Sequence, residues 1–241
     1  MDILDIIVSL LALTILEVVL GIDNLVFLSI LTEKLPKEQR KKARRWGLTF
    51  AWVTRLLLLA SAVWLVKLTT PLFSIGGLHF SGRDLFLLAG GAFLIAKATQ
   101  EIHLEVGEGH IDDLTALSTD KVITFRGVII QVALMDVIFS LDSVLTAVGL
   151  TKHFWVMATA ITFAILVMIY ASEPVSRFID KHPTVKMLAL SFLILIGMVL
   201  VADSFAFHIP RGYIYFAMGF SLGVEMLNLL RRSRRQRKRK Q

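Results

Sequence analysis

Seven stretches of almost unbroken apolar sequence set the first limit on what this chain can become. They run near 6–31, 46–66, 84–101, 122–149, 154–178, 185–206 and 212–230. A helix of about 20 residues crosses the ~30 Å hydrocarbon core of a bilayer, and each stretch is near or above that length. The runs are continuously apolar rather than alternating, which favours helices over a barrel. Mean hydropathy is +0.71 and 56% of residues are hydrophobic, which excludes an ordinary soluble domain. The expected fold class is therefore an all-α membrane protein with seven transmembrane helices. Residues 1–230 form one transmembrane domain, and 231–241 form a basic tail.

Charge between the spans sets the orientation. The first connection carries Lys34, Lys37, Arg40, Lys41, Lys42, Arg44 and Arg45, and the fifth carries Arg177, Lys181 and Lys186. The tail from Arg231 to Lys240 holds eight Lys/Arg and no acid, so it accounts for all of the formal net charge of +7. Basic segments beside membrane helices mark the cytoplasmic side. This predicts an N-terminus outside and a C-terminus in the cytoplasm, as an odd number of spans requires. The tail is read as a topology signal and an anchor on anionic lipid rather than as a nucleic-acid site. The third connection fits less well, because it is acidic from Glu101 to Asp113 and is read as a solvated loop. Asp2 and Asp5 without Lys/Arg do not resemble a signal peptide, so the first apolar run is read as a retained helix. No cysteine is present, which excludes disulfides and thiolate chemistry.

Two motifs inside the spans resemble each other. Glu17-Val-Val-Leu-Gly-Ile-Asp-Asn24 matches Asp136-Val-Ile-Phe-Ser-Leu-Asp-Ser143: acid, three apolar residues, small, aliphatic, Asp, small polar. A second match aligns Gly91–Lys97 with Gly197–Asp203, and a weaker one aligns Thr49–Ala51 with Thr162–Ala164. The order is three helices (about 6–101), three helices (about 122–206), then a seventh (about 212–230). Because three is odd, the second half enters the membrane from the opposite side. Transporters built from such inverted repeats bind ions near the midplane at the repeat interface.

Carboxylates at such depth are costly, by at least ~2.5 kcal/mol each. Glu17 and Asp23 are six residues apart, as are Asp136 and Asp142. At about 100° per residue, one unbroken helix does not aim both acids at one ion. Either the helix opens at Gly21 and Ser140, or each helix gives one carboxylate to a central site and the other to a neighbour. Arg55, Lys97 and Asp203 are the remaining deep charges. They are read as charge partners or coupling groups, with buried ion pairs as the structural alternative. Counting all of them, the acids are in excess, so a cation or protons should share the site. The candidate metal ligands are Glu17, Asp23, Asn24, Asp136, Asp142 and Ser143. This oxygen set suits Mn²⁺, Ca²⁺ or Mg²⁺. No nucleophile–base pair, phosphate loop or cofactor fingerprint is visible, so neither an enzyme nor a bound cofactor is expected.

The two acidic motifs and the following Val144–Leu150 resemble the TerC family of integral membrane proteins, in particular its YgdQ-type subgroup. Ala43-Arg44-Arg45, Arg55–Ser61, His182–Leu193 and Gly212–Met218 extend the likeness over essentially the whole chain. The resemblance implies manganese export, with calcium or proton-coupled cation transport in some relatives, and duplicated three-helix halves. By position it assigns the family's acidic motif residues to Glu17, Asp23, Asn24, Asp136 and Asp142. Asp136 departs by one methylene from the Glu of some relatives. The expectation is an inner-membrane exporter of a divalent cation, Mn²⁺ foremost and Ca²⁺ second, coupled to protons. Its partners are the ion, protons and the bilayer, with no nucleic acid. The rival expectation is a membrane partner protein that delivers metal to, or scaffolds, exported proteins without transporting anything itself.

Overall fold

The computed structural model describes residues 3–61, 69–75, 78–107, 124–150 and 153–238; the side chains of 3, 75, 78, 142–143, 145–150, 211 and 232–238 lie outside the described set. Seven helices account for most of it: α1 (Ile3–Glu33), α2 (Lys37–Ala60), α3 (Gly82–Gly107), α4 (Phe125–Leu150), α5 (Phe154–Lys181), α6 (Pro183–Ser204) and α7 (Arg211–Lys238). Five of these, α1, α3, α5, α6 and α7, are long and apolar enough to cross a membrane.

The boundaries follow from local chemistry. Pro36 precedes α2 and cannot continue α1, since it offers no N–H. Ser81 caps α3: its hydroxyl accepts from the Asp84 N–H at 3.3 Å, while the Asp84 carboxylate accepts from the Ser81 N–H at 2.8 Å. This is a capping box with Asp in the reciprocal role. Pro183 starts α6 directly after α5, where its fixed φ suits a first helical position.

The all-α membrane class stands, with one short hairpin added to the helices. Strands β1 (Pro71–Ile75) and β2 (Leu78–Ser81) pair antiparallel in the connection before α3, with Phe73 opposite Phe80. Phe80 also meets Phe205, just past α6, edge-on at 6.0 Å. The hairpin is thus fastened to the end of α6.

Helix pairing is specific. The most extensive contact joins α3 to α6; next come α1 with α5 and α2 with α4. At the α3–α6 crossing, Gly91 faces Gly197: a Cβ on Gly91 would lie 2.6 Å from the Gly197 carbonyl oxygen. Small residues let membrane helices approach this closely, where dispersion does the work that hydrophobic exclusion does in water. The buried core runs through α1 to α6, with Leu28, Leu94, Val128, Ala164 and Leu200 among its members. Helix α7 packs on α6 and exposes Tyr213, Phe216 and Phe220. Such an apolar exterior is stable in lipid and costly in water.

Candidate ion site between α1, α2 and α4

Helix α1 is continuous through Gly21 and α4 through Ser140, so neither motif opens its helix. Gly21 serves packing instead, since a Cβ there would collide with the Met168 side chain of α5. In unbroken helices the six-residue spacing must send the two acids of a motif apart, and it does so for Glu17 and Asp23.

Glu17 from α1 and Asp136 from α4 meet at Arg55 of α2. Arg55 Nη1 donates to Glu17 Oε2 at 2.8 Å, while Nε and Nη2 donate to Asp136 Oδ1 at 3.1 and 2.9 Å. Thr54 Oγ1 donates to Asp136 Oδ2 at 3.1 Å, and Asn24 Nδ2 donates to Asp136 Oδ1 at 3.2 Å. Glu17, Arg55 and Asp136 are only 2%, 3% and 3% exposed. Removing one member of such a buried group leaves an uncompensated charge, at a cost of about 3–5 kcal/mol. With all three ionised the group carries one net negative charge.

Glu17 Oε1 and Asn24 Oδ1 are buried and have no hydrogen-bond partner among the described residues. A void of about 10 Å³ lies here, bounded by Asn24, Arg55, Met135, Asp136 and Met168. That is close to the room one water needs.

Asp23 faces elsewhere. It lines an apolar cavity of about 240 Å³ between α1, α6 and α7, with Ile22, Val26, Phe192 and Met218 in the wall. It also borders a cavity of about 50 Å³ whose wall includes Arg55, Ile196, Leu200 and Tyr215. Among the described residues Asp23 has no hydrogen bond or ion pair. The backbone of Asp142 and Ser143 is helical, but their side chains lie outside the described residues.

Two of the predicted charge partners pair with none of the motif acids whose side chains are described, Glu17, Asp23 and Asp136. Lys97 pairs one turn along α3 with Glu101, at 3.2 Å, the i,i+4 carboxylate on its own helix. Asp203 is buried in the last turn of α6, outside the Glu17–Arg55–Asp136 group. Glu101 also binds Lys34, and Lys186 binds Glu33 at 2.9 Å and Glu105 at 2.6 Å. The start of the acidic third connection is therefore the counter-charge to the basic first and fifth connections, and all three share one face. Glu108, His110, Asp112 and Asp113 lie outside the described residues. Arg44 extends this face, donating to Glu173 at 2.7 Å and to Ser176 at 3.1 Å. Sequence reading missed Thr54 as a partner of Asp136; its only signal was a hydroxyl adjoining the one deep arginine. Among the described residues no three His, Asp or Glu side chains converge as a metal site.

The family described as the integral membrane protein TerC family matches residues 4–240. The chain is 54% identical over 219 residues to the UPF0053 inner membrane protein YgdQ of Escherichia coli K12, covering 91% of this chain and 90% of that one. A UPF0053 protein of Haemophilus influenzae is 51% identical over 222 residues, 92% of each chain. The UPF0053 inner membrane protein YoaE of E. coli K12 is 49% identical over 224 residues, which are 93% of this chain but 43% of YoaE. No solved structure matches.

Proposed function

The chain belongs to the TerC family of integral membrane proteins, and from that premise we propose that it exports a divalent cation, Mn²⁺ foremost, across an inner membrane. The observation that carries this reading is the meeting of Glu17 and Asp136, the first acids of the two motifs, at a buried point between α1, α2 and α4. A midplane site shared by two halves is where inverted-repeat transporters bind their cargo. Carboxylate and amide oxygens suit a hard divalent ion. The cargo binds between Glu17 and Asp136 beside Asn24. Asp142 and Ser143 take, by the repeat, the positions of Asp23 and Asn24.

The seven-span architecture with two inverted three-helix halves is part of this reading. Three features support it. The aligned glycines Gly91 and Gly197 face one another, as positions on a two-fold axis must. The pairs α1–α5 and α2–α4 are images of each other under the repeat. The first and fifth connections share one face through Lys186 and Glu33, in keeping with N-outside, C-inside topology. The two halves rock about the site to expose it alternately, and protonation of motif carboxylates on the far side weakens binding and releases the ion.

Purified protein in liposomes loaded with a Mn²⁺-quenched dye tests the claim. The parent should move Mn²⁺ down an opposing proton gradient, and Asp136→Asn at equal abundance should not. If the parent moves no ion, the partner-protein reading replaces this one.

A further inference from the structure

Arg55 holds the two carboxylates the proposed cargo needs. Its nitrogens engage Glu17 Oε2 and Asp136 Oδ1, and Thr54 takes Asp136 Oδ2. Hard divalent ions take about six oxygens or more, so cargo cannot use this pair while the guanidinium bridges it. A guanidinium does not shed its proton and is costly to bury alone. When it leaves one carboxylate it must reach another.

The structure offers one. Asp23 and Arg55 share the wall of the cavity of about 50 Å³, and Asp23 pairs with no described residue. The repeat adds an independent observation. The alignment of Thr49–Ala51 with Thr162–Ala164 sets Met168 at the position of Arg55. Met168 lines the same void of about 10 Å³ as Arg55. One half thus carries a cation where the other carries a neutral side chain of similar reach, so the position itself does not demand charge.

We propose that Arg55 is an internal counter-cation: cargo entering between Glu17 and Asp136 displaces its guanidinium across the small cavity to Asp23, and its return expels the cargo. The proposal rests on the transport reading above and deepens it. With a divalent ion between Glu17 and Asp136 and Arg55 on Asp23, the charges of these four residues and the ion cancel. Asp23 is then a positioning residue for Arg55 rather than a ligand, which explains why α1 aims it away from Glu17.

The test measures Mn²⁺ binding to full-length protein in detergent by calorimetry, with turnover in liposomes. Arg55→Met copies the second half's residue and should bind Mn²⁺ about tenfold tighter or more, with slower turnover because nothing expels the ion. Asp23→Asn should bind about tenfold weaker or more, having no receiver for the guanidinium. The double variant should bind as tightly as Arg55→Met alone, since without Arg55 the receiver has no task. A merely structural role for Arg55 predicts weaker binding, the opposite sign. A double variant much weaker than Arg55→Met would make Asp23 a direct ligand and overturn the proposal, as would an Arg55→Met that binds no tighter than the parent. If Arg55→Met does not fold, Arg55→Gln is measured in its place with the same expectations. A parent that neither binds nor carries Mn²⁺ would remove the transport reading itself, and this inference with it.

Discussion

Gly91→Ala is expected to destabilise the protein, although alanine favours a helix over glycine by about 1 kcal/mol. The new Cβ would lie 2.6 Å from the Gly197 carbonyl oxygen, 2.8 Å from Val201 Cγ2 and 3.0 Å from the Val201 nitrogen. Two of these three atoms are backbone, so no rotamer change relieves the clash. Ordinary contact begins at 3.4 Å, so α3 and α6 must part by about 0.8 Å, the difference between 3.4 and 2.6 Å. A gap of that order forfeits roughly a quarter to a half of the dispersion energy of each separated atom pair. The α3–α6 contact is the most extensive in the bundle, so the loss spreads over many pairs. Overpacking of this kind costs about 1–3 kcal/mol. Gly223→Ala in α7 is the control, because nothing lies within 4 Å of its added Cβ; propensity alone should leave it equal to or above the parent. Thermal unfolding of the purified proteins in one detergent separates the two effects. A Gly91→Ala protein that melts at or above the parent temperature would refute the claim that the backbones touch here.

Two further outcomes are expected. Lys186→Met removes the pairs to Glu33 and Glu105 on partly exposed groups, so stability should fall by about 1 kcal/mol or less. The difference from the parent should shrink as salt is raised, and a salt-independent difference would exclude an ionic origin. The chain has no native cysteine, so single cysteines report sidedness. Cysteine replacing Leu72 in β1 should react with an impermeant maleimide on intact cells, and cysteine replacing Lys42 only after permeabilisation. The reverse pattern would invert the topology.

The charged residues of the candidate site could be singled out in the sequence because a charge in an apolar run stands out against its neighbours. Glu17, Asp23, Arg55 and Asp136 needed no structure to be singled out. Strands β1 and β2 also have a sequence signal: Gly76-Gly77 between Leu72-Phe-Ser-Ile75 and Leu78-His-Phe80 is a turn pair flanked by strand-forming residues. For Lys97 the sequence left a coupling group and a buried ion pair open, and the structure shows an ion pair. It aligns with Asp203 in the repeat and lies in an apolar run, but four residues on Glu101 offers a partner, and Lys34 arrives beside it from α1.

The sequence by itself determined the solvent of this protein, the identity of its helices and the kinship of its two acidic motifs. Hydropathy, periodicity and repetition are properties of the chain read along its length, and they survive any packing. Only the tertiary structure decided that Arg55 gathers Glu17 and Asp136, that Asp23 faces a separate cavity, and that acids of the third connection balance bases of the first and fifth. Those outcomes depend on which helices meet and on the direction each side chain takes. A buried charge pairs with whatever group lies within about 3 Å, and that group can be far away in sequence.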